Sequence, residues 1–384
     1  MKSLLQEEFN KVKEDLIGIS DHLYHHPELG DQEFESSKLL VNYLKQHDFE
    51  VETGLVERPT SFKAVFKGEK TGPTIAYLAE YDALPGVGHG CGHNLIGTMA
   101  VGAGVVLSKL VSEIGGTVTV YGTPAEETNG AKVPMAKAGL FNDVDVAMML
   151  HPSGGNFESG SSLAMDALQF DYTGQTSHAA GSPEKGINAL DAVIQLFNGI
   201  NAIREHLKDD ARVHGIITNG GEAANVVPDK ATAQFYVRAQ EREYLDEVVE
   251  KVKAIAHGAA MMTGTKLEIS NYELSYDNMV TNQALSSAFS KNLKEYNDHP
   301  IRPKESGGSL DMGDVSQVVP SIHPYIGLNK PDLIGHTTEF ADQTITEDGH
   351  NALMSGVLAM AATGYDVITN EELLKTIKEE FKNK

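Results

Sequence analysis

The sequence predicts an α/β protein: a mixed, mainly parallel sheet with helices on both faces, carrying an inserted, smaller α+β domain of ferredoxin-like order. Two observations lead there. Short, near-continuous apolar runs alternate with helical patterns through roughly the first 150 residues, as parallel strands covered on both faces do. Further on, the pattern becomes β-α-β-β-α-β, the order of a split antiparallel unit. At 384 residues the chain spans two to three domain lengths, which leaves room for both.

Leu5, Phe9, Val12, Leu16, Ile19 and Leu23 recur at spacings of four and three, predicting an amphipathic helix that ends near His26-Pro27. A second helix is expected over about 32–47. Strands follow at 62–66 and 74–79, then a Gly-rich turn and an apolar helix over 94–111. Strands at 117–121 and 144–150 enclose a helix near 132–138. The inserted domain is placed at 167–280, with strands at 168–173, 213–218, 231–238 and 266–272 and helices over 186–206 and 241–262. The first domain, begun over 1–166, resumes over 281–384. There a helix at 282–296, a Gly-rich stretch at 306–313, a strand at 323–327 and a helix at 349–363 are expected. The charged end, 371–384, reads as a frayed surface helix.

Acidic residues outnumber basic ones 54 to 31, a formal charge of −23, which argues against nucleic acid and anionic membranes as partners. The one cysteine, Cys91, cannot form an internal disulfide, and Met1-Lys2-Ser3-Leu4-Leu5 lacks the apolar core of a secretory signal. A cytoplasmic location is expected, with no run of 18 or so uncharged apolar residues to cross a bilayer.

Chemistry concentrates past the ends of three strands. Tyr81-Asp82-Ala83-Leu84-Pro85 leads into His89-Gly90-Cys91-Gly92-His93-Asn94. A dinucleotide fingerprint fails here, because the third glycine of G-x-G-x-x-G falls on His93 or Cys91. Thiolate and imidazole instead suit a zinc-like ion, although Cys91 alone also reads as a small buried apolar side chain. Pro124-Ala125-Glu126-Glu127 follows the second strand and His151-Pro152 the third, so one sheet edge receives all of these groups. Taken singly, the glutamates could be a solvated helix start and His151 a turn residue. Adjacent carboxylates suit metal-assisted hydrolysis, one ligating and the other taking a proton from water.

These motifs, with His25-His26-Pro27-Glu28-Leu29-Gly30, Ser177-His178-Ala179, Asn225-Val226-Val227-Pro228-Asp229 and Gly335-His336-Thr337, resemble the metallopeptidase family of aminoacylase-1, bacterial carboxypeptidases and indole-acetyl-amino-acid amidohydrolases. The stretch from Gly308 to Ser316 further resembles the branch of aminobenzoyl-glutamate hydrolase and related dipeptidases, including HmrA-type amidohydrolases. The resemblance implies a catalytic domain under a lid and dimerisation domain, and a site for two divalent ions. Zinc is the first expectation, manganese or cobalt the alternatives. Cys91 would bridge, His93 and His151 would serve one ion, and Glu127 and His336 the other. Glu126 would be the general base, Asp82 an orienter of a ligand, and His178 a donor to the developing oxyanion. Asn225 and Arg238 are candidates for the substrate carboxylate, a guanidinium fork being suited to it. The implied activity is hydrolysis of N-acyl amino acids, aminobenzoyl-glutamate-like compounds or dipeptides. The implied assembly is a homodimer through the lid or a tetramer, with hinges near 165–168 and 279–283.

Two departures from the family pattern matter. Asn94 stands where many members have Asp, which removes a negative charge beside His93, and Asp311 and Asp314 read either as site residues or as loop caps. Two other classes compete with the hydrolase: a non-catalytic amino-acid or dipeptide binder, which would need no base such as Glu126, and a structural oligomer with merely packed Cys and His.

Overall fold

The first helix, Lys2–His25, buries the apolar stripe from Leu5 to Leu23, and Pro27 lies just past its end. In this computed structural model, residues 2–304 and 307–384 are described; Met1 and Ser306, the start of the expected Gly-rich stretch, lie outside them. The chain divides into one unit of Met1–Ser161, Met279–Ser306 and Asp311–Lys384, and a second of Ser162–Asn278 and Gly307–Leu310. Relative to the expected 167–280, the second unit begins five residues earlier, gives up Met279 and Val280, and takes in Gly307–Leu310.

The first unit holds a six-stranded sheet in the order Glu50–Thr53, Phe62–Lys67, Thr117–Gly122, Thr74–Ala79, Val146–Met148, Ser321–Ile322. Its first two pairings are antiparallel and its last three parallel, the mixed, mainly parallel sheet that the apolar runs imply. The expected strands at 144–150 and 323–327 are each shorter, and each adjoins a second strand that belongs to another sheet. Val146–Met148 stays in this sheet, but the chain continues into His151–Ser153, which pairs with Tyr325–Gly327 in a separate four-stranded sheet. Likewise Ser321–Ile322 and Tyr325–Gly327 are distinct strands, parted by Pro324, which has no N–H to continue a ladder. The Pro324 carbonyl still accepts from the His151 N–H at 3.1 Å, so the switch between sheets sets the position of His151.

Helices His93–Ile114 and Glu347–Thr369 form the centre of this unit's core together with Lys2–His25. Close approach requires glycine: a Cβ on Gly356 would come within 2.3 Å of the Met99 sulfur. Both central helices are long and apolar enough to cross a membrane, which the sequence reading did not single out. Yet 89% and 78% of their most apolar stretches are buried inside the fold. Every residue from His93 to Ser108 and from Ser355 to Gly364 is buried, so both helices carry core faces all round over those stretches.

The C-terminal helix, Glu371–Lys382, is docked, not frayed. Ile377 is fully buried, its carbonyl accepts from Asn282 Nδ2 at 2.9 Å, and the Glu380 carboxylate accepts from the Ala284 N–H at 2.9 Å. An acid there also meets the positive end of the Gln283–Leu293 helix.

The second unit has a four-stranded antiparallel sheet in the order Lys266–Asn271, Ala164–Thr173, Lys230–Ala239, Arg212–Asn219. Counted along the chain this is 4-1-3-2, the ferredoxin-like order. Helices Ala189–Ile203 and Arg242–Thr263 pack on it around Phe170, Leu196, Phe235 and Val248. Its first strand starts at Ala164, ahead of the expected 168, because Ala164–Ala167 pair with Tyr236–Ala239.

Docking of the last helix has a measurable consequence. Ile377→Ala should destabilise the protein by ~2–5 kcal/mol in urea unfolding, whereas a frayed helix would lose less than about 0.5 kcal/mol.

Candidate metal centre

The parallel strands Thr117–Gly122, Thr74–Ala79 and Val146–Met148 are hydrogen-bonded neighbours, so the segments leaving their C-terminal ends emerge side by side. The first of these segments along the chain carries Glu80, Asp82, Cys91 and His93, the next Glu126 and Glu127, and the last His151. Gly92, at φ 76°, precedes the helix that starts at His93, and a Cβ there would lie 2.4 Å from Pro152 Cγ. The left-handed backbone and the close approach both demand glycine, and they bring His93 and His151 to a ring separation of 6.2 Å.

His93 is buried. Its Nδ1 lies 2.9 Å from both the Asp82 carbonyl and Asp82 Oδ1, which only accept, so Nδ1 carries a proton. Its Nε2 lies 3.4 Å from Glu80 Oε2 and 3.8 Å from Glu127 Oε1. The second Asp82 oxygen accepts the Glu127 backbone N–H at 3.0 Å, so one carboxylate holds a ring from one loop and the backbone of the next. Glu127 Oε2 lies 3.8 Å from His336 Nε2. Ligand atoms of Cys91, Glu127 and His336 fall within 4.8 Å of one another, as do those of His93, Glu126 and Glu127. Glu127 belongs to both trios. His151 donates Nδ1–H to the Pro152 carbonyl at 2.6 Å, which leaves Nε2 as its lone-pair nitrogen; rings of His323 and Tyr325 stand 5.6 and 5.4 Å away.

A third trio, Glu80, Glu126 and Asp311, adjoins these, and Lys132 balances it. The fully buried Lys132 ammonium donates to Glu80 Oε1 at 2.5 Å and to Asp311 Oδ1 at 2.7 Å. Burial opposes the Lys132 charge, but Asp311 and Glu80 overcome it and hold its pKa above the ordinary value. Asp311 thus pairs with Lys132 while belonging to the trio with Glu80 and Glu126, and Asp314 lies buried in the Met312–Val318 helix. Asn94 faces away from this cluster: its amide donates to Ser20 Oγ at 3.2 Å and Thr344 Oγ1 at 3.0 Å, cross-linking core segments.

The donor set fits divalent cations. Glu127 Oε1 is buried with no hydrogen-bond partner among the described residues, and its 3.8 Å to His93, like the 3.8 Å from Oε2 to His336, exceeds hydrogen-bond reach. Burial, then the Glu127 charge, pushes the Cys91 thiol up. Burial, then Glu80 and Asp311, raises the Glu126 carboxyl well above its ordinary value, and burial, then the charge of His93, lowers His151 to about 4. The lone-pair nitrogen of His151 and the crowded anionic donors are what a bound cation favours.

The remaining predicted residues lie in the second unit. His178 Nδ1 accepts from the backbone N–H groups of Ala180 and Gly181 at 3.2 and 3.0 Å, so its proton sits on Nε2. Asn225 is exposed, and its carbonyl accepts from the Ala179 N–H at 3.0 Å, tying the two motifs together. Arg238 donates to Ser309 Oγ at 3.3 Å, and among the described residues it forms no ion pair and its buried Nε has no hydrogen-bond partner. Glu80 and Lys132 escaped the sequence reading. A charged residue directly after an apolar strand, and a lone lysine at an apolar helix start, were the available signals.

The model of peptidase family M20/M25/M40 matches residues 76–359. The chain belongs to this family. Among relatives of this M20 peptidase, the mouse (Mus musculus) Xaa-Arg dipeptidase is 33% identical, covering 100% of this chain and 93% of the relative. A component of the p-aminobenzoyl-glutamate hydrolase of Escherichia coli is 36% identical over 72% of this chain and 62% of its own length. A dinuclear metal-binding peptidase of the family from Bacillus subtilis has the same fold, with TM-score 0.71 and 23% identity over 93% of this chain and 98% of that one. This M20 peptidase is a hydrolase acting on amide or peptide bonds.

Removing Lys132 tests the buried balance. Lys132→Met should cost ~3–5 kcal/mol in urea unfolding, since it strands two buried carboxylates; a loss below about 1 kcal/mol would show that they need no partner.

Proposed function

We propose that the protein is a metal-dependent dipeptidase or N-acyl amino acid hydrolase that releases an amino acid with a free carboxylate. Cys91, His93, Glu127, His151 and His336 would hold two divalent ions, zinc by the thiolate and imidazole content of the set, with manganese and cobalt as alternatives. When bound, such ions supply Lewis acidity, polarising the scissile carbonyl and making water acidic at neutral pH.

The chain's own residues divide the remaining work. The carrying observation is the split between adjacent glutamates: Glu127 sits in both donor trios near His93 and His336, whereas Glu126 also lies among Glu80 and Asp311, where its proton affinity is raised. That environment suits a base that takes a proton from water and passes it to the leaving amine. Asp82 fixes the His93 ring, leaving Nε2 as the ligand atom. The Nε2–H of His178 would serve the oxyanion, and Arg238, which has no carboxylate partner among the described residues, and Asn225 would serve the substrate carboxylate.

A dipeptide is the first substrate to test, because the Xaa-Arg dipeptidase resembles this chain along nearly its full length. A net charge of −23 also favours a cationic C-terminal residue. We further infer a homodimer through the second unit, used as a lid, where the edge strand Arg212–Asn219 exposes Ile216 and Ile217. A soluble, cytoplasmic protein is part of this reading.

The test is turnover of Xaa-Arg dipeptides, aminobenzoyl-glutamate and N-acetyl amino acids by metal-reconstituted protein. Glu126→Gln should keep its metal and lose ~10²–10⁴-fold in kcat, whereas Glu127→Gln should lose metal, and a chelator should abolish wild-type turnover. Full metal and full rate in both variants would remove these assignments.

A further inference from the structure

The motif from His25 to Gly30 and the residues just after it take no part in the chemistry above, yet they touch the segment that carries both glutamates. Glu33 is fully buried and stands at the N-terminus of the Phe34–Gln46 helix, but its carboxylate makes no bond to that helix. Glu28 does that work, accepting from Glu35 N–H at 3.2 Å and Ser36 N–H at 2.8 Å. The Glu33 carboxylate crosses to the other loop. Its Oε1 accepts the Ala125 N–H at 2.9 Å and its Oε2 accepts from Thr60 Oγ1 at 3.0 Å.

Ala125 is the residue directly before Glu126, and its backbone is left-handed at φ 63°, ψ 33°, a conformation that a side chain with a Cβ resists. Its carbonyl accepts from Thr128 and Asn129, which closes the Glu126–Asn129 turn. Gly30 lies against it so closely that an added Cβ would come within 3.0 Å of Ala125 Cα. The far end of the turn is held too: Arg58 pairs with Asp31 and donates to the Asn129 carbonyl at 2.6 Å. The Glu28 carbonyl accepts the Ala83 N–H at 2.8 Å, so the same strap also grips the backbone beside Asp82.

We propose that Glu33 is a positioning residue: by accepting the Ala125 N–H it holds the left-handed backbone that aims Glu126 and Glu127 from one turn into different surroundings. This rests on the reading of Glu126 as base and Glu127 as ligand. Glu33 acts as an acceptor towards Ala125, so its amide analogue retains the function, with the amide NH2 able to donate to Thr60 Oγ1. Glycine at 125 would relieve part of the need for the clamp, because glycine takes positive φ at no steric cost.

The test compares Glu33→Ala, Glu33→Gln and the double variant Glu33→Ala/Ala125→Gly. The readouts are kcat and KM, zinc affinity by competition with a chromogenic chelator, and thermal unfolding of the metal-free protein. Glu33→Ala should lower kcat by about 10²-fold at little change in KM, and weaken zinc binding by about 10-fold or more. Glu33→Gln should restore most of both, and the added glycine should recover about 10-fold of each. Wild-type kcat and zinc affinity in Glu33→Ala would overturn the proposal. So would losses that Glu33→Gln shares in full or that glycine does not relieve, since charge or stability would then be the cause. If the alanine variant does not fold, Glu33→Met, alone and with Ala125→Gly, replaces it. If the wild type turns over no substrate, the hydrolase reading fails, while the chelator competition still decides what Glu33 does for Glu127.

Discussion

Thr123 donates its N–H to the Ala79 carbonyl, the last bond of a parallel ladder that binds Thr117–Gly122 to Thr74–Ala79, which in turn binds Val146–Met148. Neighbouring strands in such a ladder lie about 4.8 Å apart, so the loops past them must share one small volume. Everything at this edge follows from that crowding. Asp82 can reach a ring from its own loop and the backbone of the next because the two strands are neighbours. Where the sheet ends, the chain switches at Pro324 to a second, smaller sheet, and that switch sets His151 beside the others.

Crowding so many acids has an electrostatic cost. Asp82, Glu80, Glu126, Glu127 and Asp311 converge in a protein already carrying −23, and desolvation makes each unpaired charge dearer. Lys132 offsets part of this by holding Glu80 below the usual carboxylate range, although burial alone would raise it. The side towards Cys91, His336 and Glu127 has no such buried ammonium among the described residues. Cation binding and the stability of this edge are therefore thermodynamically linked, and the same groups that repel one another in isolation would share an attraction to a common ion.

Most of this architecture was legible from periodicity. The strands at Thr74–Ala79 and Thr117–Gly122 are apolar runs bounded by Gly or Pro, and the ferredoxin-like order of the second unit survives intact. The parts that escaped have physical reasons. Glu50–Thr53 is an exposed edge strand with two glutamates, so it carries no burial signal. Val144–Leu150 looks like one strand because its apolar run is unbroken and buried from Val146 to Leu150, and only tertiary context ends the sheet pairing at Met148. Cys91, His93, Glu126, Glu127 and His336 stood out through residue chemistry in short motifs. Glu33 and Lys132 did not, because what marks them is a partner 92 and 179 residues away. Their side chains look like ordinary surface charges until the fold buries them. Asn94 misled in the opposite direction, for adjacency to His93 in sequence suggests shared chemistry whereas a helix turns successive side chains to different faces.

The division of the first unit around the second also shapes its synthesis. The Glu347–Thr369 helix that covers His93–Ile114 lies more than two hundred residues downstream. At translation speeds of 5–20 residues per second, roughly 10–50 s pass before that cover exists. During this time the nascent chain displays an apolar helix with the length and composition of a membrane span. The second unit, nearly continuous in sequence, can fold meanwhile. Glycines that let the two central helices touch closely in the finished protein thus leave one of them waiting, and the interval is one in which a chaperone would find its substrate.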